Sequence, residues 1–348
     1  MDPFYRLMEA GLQNNILQNK NNVAIALQGG GTHCAFAWGV LSHLLSTSDI
    51  NVTALSGFGI GAINATLVAD GLRVSRYTAL NNLNRFWQKL EDVALTSPMK
   101  TKIVDKSMGN ISLTFPNLVS ADYISKLFSP HQFNLFENNP LKDPVERIID
   151  FDALQTTKNI KLFVNATEVV NGKGRLFTNA DVTLDSILAS CCVPFLYRPI
   201  TIDDTQYWDG GYSAHLMIQS LVKQTNVNDI IFIRTQPEQI EHLPVKATDV
   251  LNRANEIASN NHINLEIDKL KLINKFIETK SLNHTSYRSV NLHVIDAEDI
   301  LNNLGASSKL NTDASFLLYL KETGYQAASD WLTDELGRVE TKKYVETA

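Results

Sequence analysis

Ala54-Leu55-Ser56-Gly57-Phe58-Gly59-Ile60-Gly61-Ala62-Ile63-Asn64-Ala65 is the stretch whose reading decides the fold. An apolar run enters three alternating glycines and leaves as a second apolar run, which predicts a strand end, a tight turn and the first turn of a helix. A nucleophile elbow is written Gly-x-Ser-x-Gly, because small flanking residues let the backbone make a strained strand-to-helix turn that lifts the serine oxygen clear of the sheet. Gly57 and Gly61 hold the flanking positions, and Gly59 stands where the serine would. The frame is present without its hydroxyl.

Upstream, Asn22 to Gln28 predicts a buried strand that runs into Gly29-Gly30-Gly31-Thr32-His33-Cys34 and then the apolar segment Ala35 to Leu41. Backbone N–H groups of such a loop, together with the positive end of the helix it opens, can receive an anion; a plain strand-to-helix turn is the equal alternative. The Rossmann pattern fails because Cys34 stands at its third glycine, and the Gly-Lys-Ser/Thr ending of a P-loop is absent, so a nucleotide site is disfavoured. Two strand-loop-helix units within the first seventy residues predict a mostly parallel sheet of about six strands with helices on both faces, and ligands beyond the carboxyl ends of the strands.

Further along, Tyr77 to Leu95 has the spacing of a packed helix. Residues 96–139, rich in Ser, Pro, Asn and Phe, read as loops with short helices, either a lid or a surface excursion. Strands are expected at Ile160 to Thr167, at Asp229 to Arg234 and at Val290 to Ile295, with a hairpin turn at Asn171 to Gly174 and a second hairpin over Ile200 to Trp208. The second hairpin delivers Asp209-Gly210-Gly211, which taken alone is most often a turn. Residues 248–279 predict one or two amphipathic helices. The stripe Ile263, Ile267, Leu270, Ile273 and Phe276 reads as core, in preference to a membrane-facing surface, and Asp268, Lys269, Lys271 and Lys275 read as the solvated face.

The 348 residues fit one continuous unit: a polar leader over 1–21, an α/β domain over 22–225, and the last core strands with a helical region over 226–348. With 31 basic and 37 acidic residues the formal charge is −6, which argues against a general grip on nucleic acid. Cys34 and the adjacent Cys191 and Cys192 match no zinc spacing and no ordinary disulfide, which suggests a reducing compartment. With no signal-peptide pattern and no long apolar stretch, a cytoplasmic location is the default expectation, with export by a route that needs no cleaved signal left open.

A triple-glycine loop after the first strand, an elbow frame after the second and a distant Asp-Gly-Gly resemble the patatin-like phospholipase family, and specifically a bacterial subgroup of it. Ala26 to Leu41, Ala189 to Pro194, Tyr207 to Tyr212 and the closing Leu304 to Asn311 carry the likeness over nearly the whole chain. The resemblance implies a three-layer α/β/α sandwich with C-terminal helices and a lipid acyl hydrolase that works with a Ser-Asp dyad, without histidine, metal or cofactor. Lipid or ester is the implied substrate, with transient contact at a membrane surface; oligomeric state is not implied.

Carried over position by position, the family's nucleophile falls on Gly59, its dyad carboxylate on Asp209, and its oxyanion glycines on Gly29, Gly30 and Gly31. Asp209 would take the hydroxyl proton and return it to the leaving alcohol, while the loop N–H groups received the developing charge. His33 stands where many members carry Arg, Cys34 where Gly is common, and Ala214-His215 where Asn-Pro is frequent. Ser56 and Ser190 lie in the wrong places to replace the missing hydroxyl. Two readings follow: an acyl hydrolase disabled by glycine at position 59, or a natural pseudoenzyme that keeps the fold as a lipid- or protein-binding module.

Overall fold

The computed structural model describes residues 22–47, 50–96, 100–105, 110–114, 139–194, 196–279 and 288–346. Its strands are β1 (Asn22–Leu27), β2 (Asn51–Gly57), β3 (Lys100–Asp105), β4 (Asn110–Thr114), β5 (Lys161–Glu168), β6 (Gly174–Thr178), β7 (Ile200–Ile202), β8 (Thr205–Trp208), β9 (Asp229–Ile233) and β10 (Asn291–Ile295). Its α-helices are α1 (Ala35–Thr47), α2 (Ile60–Leu72), α3 (Arg76–Thr96), α4 (Lys142–Glu146), α5 (Phe151–Thr156), α6 (Leu184–Ser190), α7 (His215–Gln224), α8 (Ala247–Glu278), α9 (Glu298–Leu301) and α10 (Ala314–Glu346).

The main sheet runs β10-β9-β1-β2-β5-β8-β7, with β6 also paired to β5. From β10 to β5 every neighbour is parallel, while β6, β8 and β7 join antiparallel. The sheet therefore has eight strands where the sequence predicted about six. The excess comes from the short antiparallel strands of the two hairpins expected around Asn171 to Gly174 and over Ile200 to Trp208. The β7–β8 hairpin turns on Asp203 and Asp204, both at positive φ (48° and 60°), the backbone of a two-residue type I′ loop that aspartate tolerates. In the stretch read as loops with short helices, β3 pairs antiparallel with β4, and residues 115–138, where the lid was considered, lie outside the described residues.

Period-two alternation sorts the central strands onto two cores. Ile25, Leu27, Leu55, Ile231 and Ile233 face α1, α2 and α3 in one layer. Ala24, Ala26, Ala54, Ile230 and Phe232 face α7 and α8 in the other. The small side chains of β1 on the second face let Met217, Leu221, Ile263 and Leu270 come close to the sheet. This is the three-layer α/β/α sandwich. Helix starts follow local chemistry: Asp150 accepts from the Ala153 N–H at the head of α5, and Thr183 and Ser186 exchange bonds at the head of α6.

Helix α10 closes the first layer by lying on α1 at backbone distance. A Cβ added to Gly39 would sit 1.8 Å from the Lys321 carbonyl oxygen, and one added to Gly324 would sit 1.9 Å from that of Phe36. His43 meets Tyr325 edge-on at 4.5 Å, and the Lys321 ammonium lies 4.0 Å from the Trp38 ring centroid. Among the described residues no helix is long and apolar enough to cross a membrane.

Candidate active site

The carboxyl ends of β1 and β2 carry the two glycine turns, and the end of β8 carries Asp209. Gly59 takes φ 59°, ψ −142° as it opens α2, a backbone that an L-residue enters only with strain. Its N–H is fixed from below by Ser190, whose carbonyl accepts at 3.2 Å and whose hydroxyl oxygen accepts at 3.1 Å. That hydroxyl in turn donates to the Asn165 carbonyl at 2.7 Å, tying the elbow to β5. The flanking Gly57 and Gly61 let the turn close: a Cβ on Gly57 would meet the Gly61 oxygen at 2.8 Å, and one on Gly61 would meet the Leu27 oxygen at 2.5 Å.

A Cβ built on Gly59 would stand in open van der Waals contact with two groups, the Gly29 Cα at 3.4 Å and the Asp209 Oδ2 at 3.5 Å. A hydroxyl one bond further out comes within hydrogen-bond reach of the carboxylate. Asp209 is held by its own turn: its Oδ1 accepts from the Gly211 N–H at 2.7 Å, its N–H donates to Cys192, and its carbonyl accepts from Thr167. By surface the residue is half-buried, yet the carboxyl lies deep in surrounding protein, and this desolvation pushes its pKa up to about 7. The Gly211 N–H and the charge of Lys309 pull weakly the other way. A carboxyl poised near neutrality is suited to taking a proton and giving it back.

Phe58, fully buried, is the spacer of the site. Gly29, Gly210 and Gly211 all pack on it, with added Cβ atoms falling 2.8, 2.7 and 3.3 Å from its side chain. The glycine loop and the Asp-Gly-Gly turn are thus brought to either side of the elbow by contact with one ring. Gly31, at φ 61°, passes so close to Lys309 that a Cβ would lie 2.3 Å from its carbonyl oxygen.

The loop is anchored by residues that the sequence did not single out. The Gln28 amide accepts from the N–H groups of Thr235 and Gln236 and donates to Asn260. The Gly29 carbonyl accepts from the Thr235 hydroxyl and the Gln236 amide. Thr32 and His33 both bind Ser308, within the region Leu304 to Asn311 that carried part of the resemblance. Lys309 is held by Asn252 and Glu256; burial alone would raise the Glu256 carboxyl, but Lys309 and its other partners hold it below the usual range.

His33 is a buried side chain. It is enclosed, burial and then Lys309 push its pKa down to about 3, and its Nε2 lies 2.7 Å from the Ser308 hydroxyl. It fastens the loop to the C-terminal region. Ser56 is likewise engaged, its hydroxyl accepting from Ser220. Cys34, Cys191 and Cys192 are free buried thiols, all pushed upward by burial, so they are poor nucleophiles.

A glycine-rich strand-to-helix turn, a second glycine loop and a buried carboxyl thus lie side by side at the carboxyl edge of a parallel sheet. A sequence model of patatin-like phospholipase matches residues 25–222, more than half of the chain, and the chain belongs to that family. It provides a lipid hydrolase scaffold. Comparison with curated proteins found no match. Among solved structures it is similar to VipD from Legionella pneumophila, at 13% identity and TM-score 0.39 over 91% of this chain and 67% of that one. It is also similar to the type III effector protein ExoU, at 13% identity and TM-score 0.36 over 91% of this chain and 53% of that one. The ExoU–SpcU heterodimer of the Pseudomonas aeruginosa type III secretion system gives 13% identity and TM-score 0.33, over 92% of this chain and 52% of that one. The chain thus spans about two thirds of VipD and about half of ExoU.

Proposed function

We propose that this chain is a lipid acyl hydrolase scaffold of the Ser-Asp type whose nucleophile position is filled by Gly59, leaving carboxylic-ester hydrolysis absent or severely impaired. The observation that carries the reading is the 3.5 Å from a Cβ at position 59 to the Asp209 carboxylate, with the Gly29 Cα 3.4 Å from the same point. In the complete dyad a serine hydroxyl attacks the ester carbonyl and passes its proton to Asp209. The N–H groups of Gly29, Gly30 and Gly31 and the positive end of α2 take up the charge on the carbonyl oxygen. Asp209 then returns the proton to the departing alcohol, and a water releases the acyl group by the same route.

The test is Gly59→Ser, assayed on short-chain nitrophenyl esters and on phospholipid vesicles. A gain of at least about a thousandfold over the Gly59 chain is expected, since removing a covalent nucleophile leaves only oxyanion and binding catalysis. Because Asp209 must be ionised to act as base, kcat/KM of Gly59→Ser should rise with pH through about 7 and level off above it. No gain would overturn the reading.

A second reading, a pseudoenzyme that binds lipid or protein without turning it over, is favoured by the Gly59 backbone itself. At φ 59° glycine is unstrained where serine would cost on the order of 1–3 kcal/mol, so the present residue suits a binding scaffold. Saturable binding of a phospholipid by the Gly59 chain, with no rescue by Gly59→Ser, selects it. On either reading we place the molecule in a reducing, cytoplasm-like compartment, in keeping with three free buried thiols; as a lipid hydrolase it would meet its substrate at a membrane surface.

A further inference from the structure

Helix α8 has two apolar faces, and only one is covered. Ile263, Ile267 and Leu270 pack into the second core. Stepping by three and four residues along the opposite side come Val250, Ala254, Ile257, Asn261, Leu265, Asp268, Leu272 and Phe276, all exposed, with Leu251 beside them. Of the fifteen large apolar side chains exposed among the described residues, eight lie between Leu243 and Phe276: six on this face and two, Leu243 and Val245, in the segment that leads into the helix. Leu265 is 66% exposed and Leu272 51%. Single exposed apolar residues need no explanation, but a stripe that follows the helical repeat from Val250 to Phe276, about 40 Å, does.

Charge says what covers it. Lys246, at the head of the helix, and Lys269, Lys271 and Lys275 within it are exposed and flank the stripe, while Glu256 and Glu266 are turned inward, Glu266 paired with Lys269. The acid within the stripe, Asp268, lies 3.6 Å from Lys271. An apolar band fringed by lysines is the pattern of a helix lying in the plane of an anionic lipid surface. A second copy of the helix fits less well: Asn261 and Asp268 interrupt the seam that a helix pair would bury, and burying Asp268 there would be costly. At a headgroup boundary both residues stay wet.

The covered side of the same helix supports the candidate site, through Asn260 on Gln28, Glu256 on Lys309 and Asn255 accepting from the Tyr212 hydroxyl. We propose that the Leu251, Ile257, Leu265, Leu272 and Phe276 face of α8 docks on anionic lipid bilayers, bringing the glycine loop to within about one helix diameter of the lipid. The proposal takes its purpose from the lipid-hydrolase reading, but its test does not, because binding is read without turnover.

The test is flotation with vesicles of equal parts phosphatidylcholine and phosphatidylglycerol, against vesicles of phosphatidylcholine alone. The full chain should float with the anionic vesicles and be released by added salt. The double variant Leu265→Glu, Leu272→Glu should bind at least about tenfold more weakly. Lys269→Gln with Lys275→Gln should bind more weakly at low salt only. Leu318→Glu, exposed on α10 away from this face, should bind like the parent, and circular dichroism should show all variants folded. Equal flotation of the parent and the Leu265→Glu, Leu272→Glu variant overturns the proposal. So does a parent that is dimeric by light scattering while that variant is monomeric, since a second copy then covers the face.

Discussion

Asp209 is the residue at which the proposed chemistry and stability pull apart. Its folded pKa, about 7, lies above the ordinary carboxylate value, so between about pH 4 and pH 7 the native state keeps a proton that the unfolded chain has released. Stability from this group therefore falls as pH rises through that window, and the deficit persists above it. Asp209→Asn should accordingly raise stability at pH 8 by on the order of 2 kcal/mol, discounted from the full shift because the residue is partly open to water, and the gain should shrink towards pH 5. Denaturant melts of the two chains at both pH values check this. Gly59, Asp209 and the triple-glycine loop could be read from sequence because small residues and a carboxylate fall in short, patterned runs. Ser190, which grips Gly59 from 131 positions away, and Ser308, 275 positions from His33, could not. A lone polar residue announces nothing until the fold sets it beside its partner, and the only local hint at Ser190 was a small-residue helix ending before Pro194.

Elements were legible where they were long and periodic. The strands β1, β2, β5, β9 and β10 and the helices α2 and α3 are apolar runs or strong helical repeats, and they fall where expected. The hairpins that supply β6, β7 and β8 were foreseen but not their place in the main sheet, and Phe276, read as core, is 40% exposed because α8 carries a second apolar stripe that the first one masks in sequence. Contact between α1 and α10 was not legible at all, since one glycine in each helix gives no sign of what it touches. It is nevertheless a place where a single methyl matters. Gly324→Ala must push α10 away from the Phe36 carbonyl, which an added Cβ would overlap at 1.9 Å. We expect a loss of about 1–3 kcal/mol, read as a lower denaturation midpoint with an unchanged slope. Ala327, half-buried on the same helix, should tolerate Ala327→Gly at about 1 kcal/mol, the ordinary helix-propensity cost.

At the scale of the molecule, the family match ends at residue 222, yet the sheet does not. β9 is one of the two neighbours of β1, and α8 covers the Ala24–Ala26 face. A fragment ending at residue 225 would leave β1 as an open edge and uncover part of the second core. It should be insoluble or polydisperse by light scattering where the full chain is not. A monodisperse, cooperatively melting fragment would instead mark the later residues as a separate domain. The order of strands along the sheet was not legible, because parallel neighbours far apart in sequence share no local signal.

Synthesis gives the long reach of the glycine loop a temporal meaning. A ribosome delivers Gly29, Gly30 and Gly31 early, but their fastenings, Gln236 on Gly29, Asn260 on Gln28 and Ser308 on Thr32 and His33, emerge two hundred or more residues later. The glycine loop is thus made long before the residues that set it. A chain stalled or clipped ahead of Ser308 would carry every residue assigned to the proposed chemistry and still lack the shape that chemistry needs.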